Sequence, residues 1–355
     1  MKYFSCKTKI TLNSTAQAVL KELGIGKLLV VSDPFFAENG TAASLGQQAE
    51  NYEIFSKVMP DPTVQLVAEG TALVQRFLPD AVLALGGGSA MDCAKAMVFF
   101  SGQSIPLIAV PTTSGSGSEV TDFAILTHDG VKHPLVDERL RPDMAILDHT
   151  LVSSLTPGLI ADGGFDALTH ALESWVAVNA DPISDALALQ AFHTIYQHLG
   201  DSFVGDTTAR RAIHTASTMA GLAFSHAGLG VCHALSHALG GQFHIPHGRL
   251  NAILLPAVIA HNGAAGRYAD LARHLGLGTS DAMAVRNLKN GLIRLRTQLG
   301  LPSNLRQAGT DPALVRQKLP TVLAAAMADP CCQTNPTPVT EELLRSILKE
   351  VAALG

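Results

Sequence analysis

The chain changes character near residue 155, and this change constrains its fold more than any other feature of the sequence. Before it, short apolar runs alternate with helical patterns. The runs span 27–31, 81–85 and 105–110, and helical patterns span 64–77 and 89–100. Runs that are apolar at every position are typical of strands buried on both faces of a parallel sheet. We therefore expect residues 1–155 to form an α/β domain with a parallel sheet.

After residue 155, strand-like runs become scarce and helical patterns cut by Gly, Pro and Asp take over. These patterns span 161–178, 184–199, 207–224, 230–240, 280–299, 311–328 and 340–354. They predict an all-helical second domain, residues 156–355, that begins at Thr156-Pro157-Gly158. A length of 355 residues also favours two domains over one.

Composition excludes several classes of protein. The balance of 25 basic and 30 acidic residues, with no basic run, gives no footprint for nucleic acid. The apolar run 252–260 is about half of the ~20 residues that span a bilayer, and residues 1–10 lack a signal pattern. Five cysteines without a paired spacing favour reduced thiols. We expect a cytoplasmic protein with no membrane or nucleic-acid partner.

Two polar clusters interrupt the apolar helical sequence of the second half. Asp166 and His170 are four residues apart, as are His233 and His237, so each pair shares a helical face. A predicted turn, Pro246-His247-Gly248, follows the second pair. One carboxylate with two or three imidazoles and no thiolate suits Fe(II), Zn(II), Co(II) or Mn(II) and leaves room for a substrate oxygen. A single histidine on an apolar face is usually structural, but two clusters together favour a metal site.

Two glycine- and hydroxyl-rich loops follow predicted strands in the first half. In the first, Gly86-Gly87-Gly88 precedes a predicted helix, whose first N–H groups offer a site for a pyrophosphate. The second loop, 111–119, could hold phosphate or ribose. Either loop alone could also be a plain turn. Two such loops at neighbouring strand ends fit the rule for ligand sites in open α/β sheets.

The position of an acidic residue sets this chain apart from the common dinucleotide fingerprint. In that fingerprint an acid follows the glycine loop by about 20 residues. Here Asp33 precedes the loop by more than 50 positions, at the end of the first predicted strand. A carboxylate there would accept a ribose 2′-hydroxyl and repel a 2′-phosphate, which favours NAD over NADP. The alternative is that Asp33-Pro34 is an ordinary turn.

Taken together, these residues resemble the iron-containing (group III) alcohol dehydrogenases. The matching stretches occur in the same order over nearly the whole chain, at 86–95, 111–120, 142–148, 166–173, 227–237 and 245–248. Residues 223–230 and 240–247 resemble most the 1-propanol dehydrogenases of bacterial propanediol utilisation. The resemblance implies the fold shared with dehydroquinate synthase, an α/β dinucleotide-binding domain followed by a helical one.

The resemblance also assigns roles to individual residues. It implies a metal, Fe(II) with Zn(II) as the alternative, held by Asp166, His170, His233 and His247. It places His237 near the nicotinamide and the substrate, as a catalytic residue. It implies that NAD(H) is contacted by a larger set of residues in the first domain. These are Asp33, Gly86, Gly87, Gly88, Ser89, Asp92, Thr112, Thr113, Ser116, Lys132 and Leu151.

The activity implied is the interconversion of a short-chain primary alcohol and its aldehyde, with 1-propanol and propanal first among the candidates. The family implies a homodimer, and the branch suggests association with a bacterial microcompartment. Glycerol or diol dehydrogenases and maleylacetate reductases of the same superfamily are the nearest alternatives. A lyase of the dehydroquinate synthase type needs several basic residues near the metal, where only Arg210, Arg211 and Arg249 are available.

Overall fold

The computed structural model describes residues 4–129, 131–263 and 265–352. It divides the chain into two compact units, with the boundary between Leu155 and Thr156. The domains expected at 1–155 and 156–355, and the helix expected at 340–354, extend into residues 1–3 and 353–355, which lie outside the described part of the chain.

The first unit contains a six-stranded parallel sheet and a separate antiparallel hairpin. The strands are β1 (Lys9–Thr11), β2 (Lys27–Ser32), β3 (Asn51–Phe55), β4 (Ala81–Gly86), β5 (Leu107–Pro111), β6 (Phe123–His128), β7 (Val131–Val136) and β8 (Met144–Ile146). The sheet order is β1-β8-β5-β4-β2-β3, and β6 pairs with β7 in the hairpin. The three predicted strands are β2, β4 and β5, and they lie side by side inside the sheet. The predicted parallel α/β fold is confirmed.

Helices cover both faces of this sheet. Neighbouring residues of each strand point to opposite sides, so a strand that is apolar at every position needs cover on both faces. The helices are α1 (Ala16–Leu23), α2 (Pro34–Glu38), α3 (Thr41–Gly46), α4 (Val64–Phe77) and α5 (Gly88–Ser101). On one face Leu29 and Val31 of β2 pack with residues of α4 and α5. On the other face Leu28 and Val30 pack with residues of α1 and α3. The sheet is thus enclosed by two apolar cores.

The described residues of the second unit form helices joined by loops and contain no strand. Its helices are α6 (Pro157–Val176), α7 (Pro182–Phe203), α8 (Thr207–Ala227), α9 (Val231–Phe243), α10 (His247–His261), α11 (Ala265–His274), α12 (Asp281–Gln298), α13 (Pro312–Ala328) and α14 (Glu341–Val351). A short 3-10 helix, Pro330–Thr334, follows α13. None of the described helices has the length and hydrophobicity needed to cross a bilayer.

Two of these helices, α10 and α11, are absent from the sequence prediction. The predicted turn at 246–248 is wrong, since His247 is the first residue of α10 and Pro246 stands at its N-cap. Helix α10 contains Pro256, a residue that usually ends helices, and it is buried over most of its surface. A helix buried on all sides has no amphipathic period for sequence analysis to detect.

Candidate metal centre and cofactor loops

Three imidazoles of the second unit converge on one carboxylate oxygen. Oδ1 of Asp166 lies 3.4 Å from Nε2 of His247, 3.7 Å from Nε2 of His233 and 4.0 Å from Nε2 of His170. Ligand atoms bound at about 2.1 Å to one tetrahedral ion lie about 3.4 Å apart. The ligand atoms of Asp166, His233 and His247 all lie within 4.8 Å of one another, so their spacing and donor set fit one divalent cation. His170 adds a third imidazole beside them. We call these four side chains the Asp166 cluster.

Helix geometry brings these four side chains together. Asp166 and His170 lie one turn apart on α6, and the ring of His170 stacks on that of His233 from α9, with centroids 4.5 Å apart. Asp166 is buried, and burial works to raise the pKa of its carboxyl group. The imidazoles of His170, His247 and His233 outweigh burial and hold that pKa well below its usual range. The carboxylate is therefore charged and ready to bind a cation.

A glycine allows His247 to reach this cluster. A Cβ atom at Gly248 would lie 1.9 Å from the backbone oxygen of Asp162 on α6, so α10 begins in direct contact with the α6 backbone. Arg249 then pairs with the Asp162 carboxylate, with Nη2 to Oδ2 at 2.9 Å. The contact that only glycine permits thus sets the position of His247 over Asp166.

Two further residues, Glu173 and Asn251, support the cluster, and neither was predicted from the sequence. Glu173, 1% exposed, accepts a hydrogen bond at Oε2 from Nδ1 of His233 at 2.6 Å. Its Oε1 accepts the backbone N–H of Cys232 at 2.7 Å. Because Glu173 holds a proton on Nδ1, Nε2 is the His233 nitrogen that faces the cluster and would bind a metal, the usual arrangement for a metal-binding histidine. Asn251 donates from Nδ2 to Oδ1 of Asp166 at 2.8 Å. The spacing of 166, 170 and 173 along one helix face was a signal for Glu173.

His237 lies beside the cluster and has a carboxylate of its own. Its ring stacks on that of His247 with centroids 5.0 Å apart, and its Nδ1 lies 2.8 Å from Oδ2 of Asp329. Burial works to raise the pKa of Asp329, but the hydrogen bonds from His237 and Cys331 lower it to about 2. The ionised carboxylate keeps the proton of His237 on Nδ1 and leaves Nε2 free to accept another. Asp329 was also missed, since 92 positions separate it from His237.

The two polar loops of the first unit pack against each other. A Cβ atom at Gly87 would lie 3.1 Å from Oγ1 of Thr113, and one at Gly88 would lie 3.2 Å from Oγ of Ser116. Helix α5 begins at Gly88, with Ser89 as its second residue, and it has no side-chain N-cap. A helix start of this kind leaves N–H groups available to an anion. The loops therefore form the kind of surface that a pyrophosphate needs.

Asp33 and Thr112 lie at the same edge of the sheet, where β2, β4 and β5 end. The backbone N–H of Thr112 donates to the oxygen of Gly86 at 2.9 Å. Oδ2 of Asp33 lies 3.7 Å from the place of a Cβ atom at Gly86, while its Oδ1 accepts the N–H of Phe36. Asp33 is therefore both the cap of a turn and a carboxylate beside the glycine loop.

Asp92 is committed to contacts inside the protein. Its Oδ1 accepts from Oγ of Ser118 at 2.8 Å, and its Oδ2 accepts from the N–H of Ile125 at 3.0 Å. Burial raises the pKa of Asp92 despite the nearby ammonium of Lys95. Lys95 itself, 1% exposed, donates to Ser118 at 2.8 Å. This network joins α5 to the second loop, 111–119. Asp92 therefore stabilises the loop through contacts inside the protein.

The remaining two candidates for cofactor contacts also have partners within the first unit. Lys132 on β7 forms an ion pair with Asp61, with Nζ to Oδ1 at 2.7 Å. Leu151 packs against the apolar core on the α1 and α3 face of the sheet. Their roles as cofactor contacts stay predictions.

Comparisons with known proteins agree in both halves of the chain. Residues 11–149 match the family described as iron-containing alcohol dehydrogenase, and residues 160–352 match the C-terminal part of the Fe-containing alcohol dehydrogenase family. The 1-propanol dehydrogenase PduQ of Salmonella typhimurium is 41% identical over 372 aligned positions, covering 99% of this chain and all of that protein. The NADPH-dependent butanol dehydrogenase of Clostridium saccharobutylicum is 36% identical, over 84% of this chain and 83% of that protein.

Solved structures show the same similarity. The iron-containing alcohol dehydrogenase of Thermococcus thioreducens superposes with a TM-score of 0.92 at 30% identity, covering 99% of this chain and all of that one. A 1,3-propanediol oxidoreductase gives the same TM-score and identity, with 98% of this chain and 99% of that chain covered.

Gly248→Ala is expected to weaken metal binding by about 10–100-fold, the range seen when support for a ligand is lost. The added methyl group would push α10 away from Asp162 and carry His247 off the cluster. Competition with a coloured chelator measures the affinity. Gly241→Ala on α9 is the matched control, because no atom lies within 4 Å of the Cβ position there. Equal affinities in the two variants would contradict the account.

Metal binding is expected to release about one proton near pH 7.5, because the cation must displace the proton of His233. Burial alone would lower the pKa of His233, but the carboxylates of Asp166 and Glu173 raise it to about 9. Below that pKa the proton competes with the cation. The affinity should therefore rise about tenfold per pH unit up to pH 9 and then level off.

Calorimetry in two buffers of different ionisation enthalpy measures the released proton. Glu173→Gln removes one of the two negative charges that hold the His233 proton. The metal-free variant should therefore carry less of this proton at pH 7.5 and release less of it when metal binds. Binding without proton release in the unmodified protein at pH 7.5 would show that His233 is already neutral and that this prediction is wrong.

Proposed function

The chain belongs to the iron-containing alcohol dehydrogenase family and is an alcohol dehydrogenase of that kind, and we propose that it interconverts propanal and 1-propanol with NAD(H). The observation that carries the proposal is the convergence of His170, His233 and His247 on Asp166. Identity of 41% to 1-propanol dehydrogenases, over 99% of the chain, supports the choice of substrate.

The four convergent side chains fit the metal that the family name implies. A divalent cation, with Fe(II) proposed and Zn(II) as the alternative, would act as a Lewis acid on the oxygen of the alcohol or aldehyde. Asp166 contributes the charge, and the three histidines present Nε2 atoms. Glu173 fixes the ring orientation of His233, while Asn251 holds Oδ1 of Asp166 in place.

His237 is proposed to carry the proton of the reaction. Reduction of an aldehyde by NADH takes up one proton, and oxidation of the alcohol releases it. Nε2 of His237 accepts or returns this proton, while Asp329 holds the Nδ1 proton and stabilises the charged ring. The same division of roles between a histidine and a carboxylate operates in Ser-His-Asp catalytic triads.

The first unit, residues 1–155, is proposed to bind NAD(H), which supplies or accepts the hydride. The helix start at Gly88 and the hydroxyls of Thr113 and Ser116 suit the pyrophosphate. Asp33, beside Gly86, suits a ribose 2′-hydroxyl and would repel a 2′-phosphate. We therefore propose NAD(H) as the cofactor, although one relative is NADPH-dependent.

The alternatives within the superfamily are less well supported. A dehydroquinate synthase-type lyase needs free basic residues near the metal, but Arg249 is paired with Asp162 and Arg210 donates to the backbone oxygen of Ser202. A maleylacetate reductase would work without metal, which leaves the Asp166 cluster unexplained. A homodimer, a cytoplasmic location and a microcompartment association stay predictions from the family resemblance.

Anaerobic, iron-loaded protein is expected to oxidise NADH rapidly with propanal and to use NADPH much more slowly. Removal of the metal by a chelator should abolish the activity, and added Fe(II) should restore it, since the bound cation would supply the Lewis acid for the carbonyl oxygen. Absorbance of NADH and metal analysis of the same sample provide the measurement. Full activity in metal-stripped protein would rule out the proposed mechanism.

Two variants separate the metal from the proton carrier. His247→Ala should lose metal and activity together, because it removes a ligand. His237→Ala should keep the metal and lower kcat by about 10²–10⁴-fold, the usual contribution of a proton-transferring residue. A His237→Ala variant with unchanged kcat would remove His237 from the mechanism.

A further inference from the structure

A second group of donor atoms lies next to the Asp166 cluster. It comprises a ring nitrogen of His237, a carboxylate oxygen of Asp329 and Sγ of Cys331, all within 4.8 Å of one another. Nδ1 is the His237 nitrogen that faces Asp329, at 2.8 Å from its Oδ2. All three side chains are only partly buried, with His237 24% and Asp329 13% exposed, so an ion in solution can reach them. The group differs from the Asp166 cluster in one chemical respect, since it includes a thiol.

The local fold holds this group in place. Asp329 caps the 3-10 helix Pro330–Thr334, and its Oδ1 accepts the backbone N–H of Cys331 at 2.9 Å. At the end of the same helix, Thr334 donates to the backbone oxygen of Leu229 at 2.7 Å, just before α9. A Cβ atom at Gly228 would clash with Thr334. The turn that carries Cys331 is therefore anchored to the segment that leads into the helix of His237.

The donor set selects the kind of cation. Imidazole nitrogen, carboxylate oxygen and thiolate sulfur are the ligands that zinc takes in proteins, often three at a time with water in the fourth position. Magnesium and calcium prefer oxygen ligands throughout. Burial and the charge of Asp329 raise the pKa of the Cys331 thiol, so the free thiol keeps its proton until a cation displaces it.

We propose that His237, Asp329 and Cys331 form a second, inhibitory site for zinc-like divalent cations. The bound cation takes the Nδ1 lone pair of His237, so the ring proton moves to Nε2, and the thiol proton leaves to water. Nε2 then carries a proton and can no longer accept one. The inhibition rests on the proposed proton-carrying role of His237, whereas the binding does not.

Cobalt tests the binding independently of activity. Co(II) bound to a thiolate gives a near-ultraviolet charge-transfer band, and the Asp166 cluster contains no sulfur ligand. The Asp166 cluster is first filled with zinc under anaerobic conditions. Titration of this protein with Co(II) should then give the band at one equivalent of added Co(II). Cys331→Ser should abolish the band. Cys332→Ser is the matched control and should keep it, because the Cys332 thiol donates instead to the backbone oxygen of Ala326.

No band in the unmodified protein would overturn the proposal, as would an undiminished band in Cys331→Ser. A band that appears as expected in protein without any alcohol dehydrogenase activity would support the second site and contradict the proposed function.

Zinc tests the inhibition. One equivalent of Zn(II) added to the iron-loaded enzyme should lower kcat by about 10²-fold or more, since the proton carrier is blocked. The iron should stay bound, as metal analysis after gel filtration would show. Cys331→Ser should resist the added zinc, with its activity in zinc compared with its own activity without zinc. Equal inhibition of Cys331→Ser, or release of iron in step with inhibition, would place zinc at the Asp166 cluster and overturn the proposal.

Discussion

One buried carboxylate, that of Asp166, links three helices of the second unit. A buried charge is costly unless its environment compensates for it. Here three imidazoles and the amide of Asn251 surround a single oxygen atom, and helices α6, α9 and α10 each supply part of that surround. The close contact of Gly248 with α6 belongs to the same arrangement, since without it His247 would not reach the carboxylate. A divalent cation is the partner that this cluster fits best.

Two carboxylates, those of Glu173 and Asp329, both stabilise a helix start and orient a histidine of the proposed site. Glu173 accepts an N–H from the first turn of α9 and also fixes the proton of His233. Asp329 caps the 3-10 helix Pro330–Thr334 and also fixes the proton of His237. Each carboxylate satisfies a helix start, whose N–H groups need acceptors, and selects a histidine tautomer. The histidines are therefore oriented by the same contacts that hold their helices in place.

Sequence alone identified the parts of the molecule whose signal is local. The central strands β2, β4 and β5 were predictable because both faces are buried, whereas β3 is an edge strand with mixed burial and β1 has only three residues. Asp166 and His170 share a helical period, but no local pattern links Asp329 to His237. The sequence predicts His247 as a metal ligand but places it in a turn. It gives no signal for α10, because this helix contains Pro256 and is buried over most of its surface. The contacts that orient the site come from residues far apart in sequence, so they required the fold.

The central claim is that Asp166, His170, His233 and His247 hold one metal ion. Anomalous diffraction at the iron absorption edge, from crystals grown anaerobically with Fe(II), tests it directly. The account predicts one strong peak within coordination distance of all four side chains. A strong iron peak elsewhere, with those four side chains hydrogen-bonded only to one another, would contradict it.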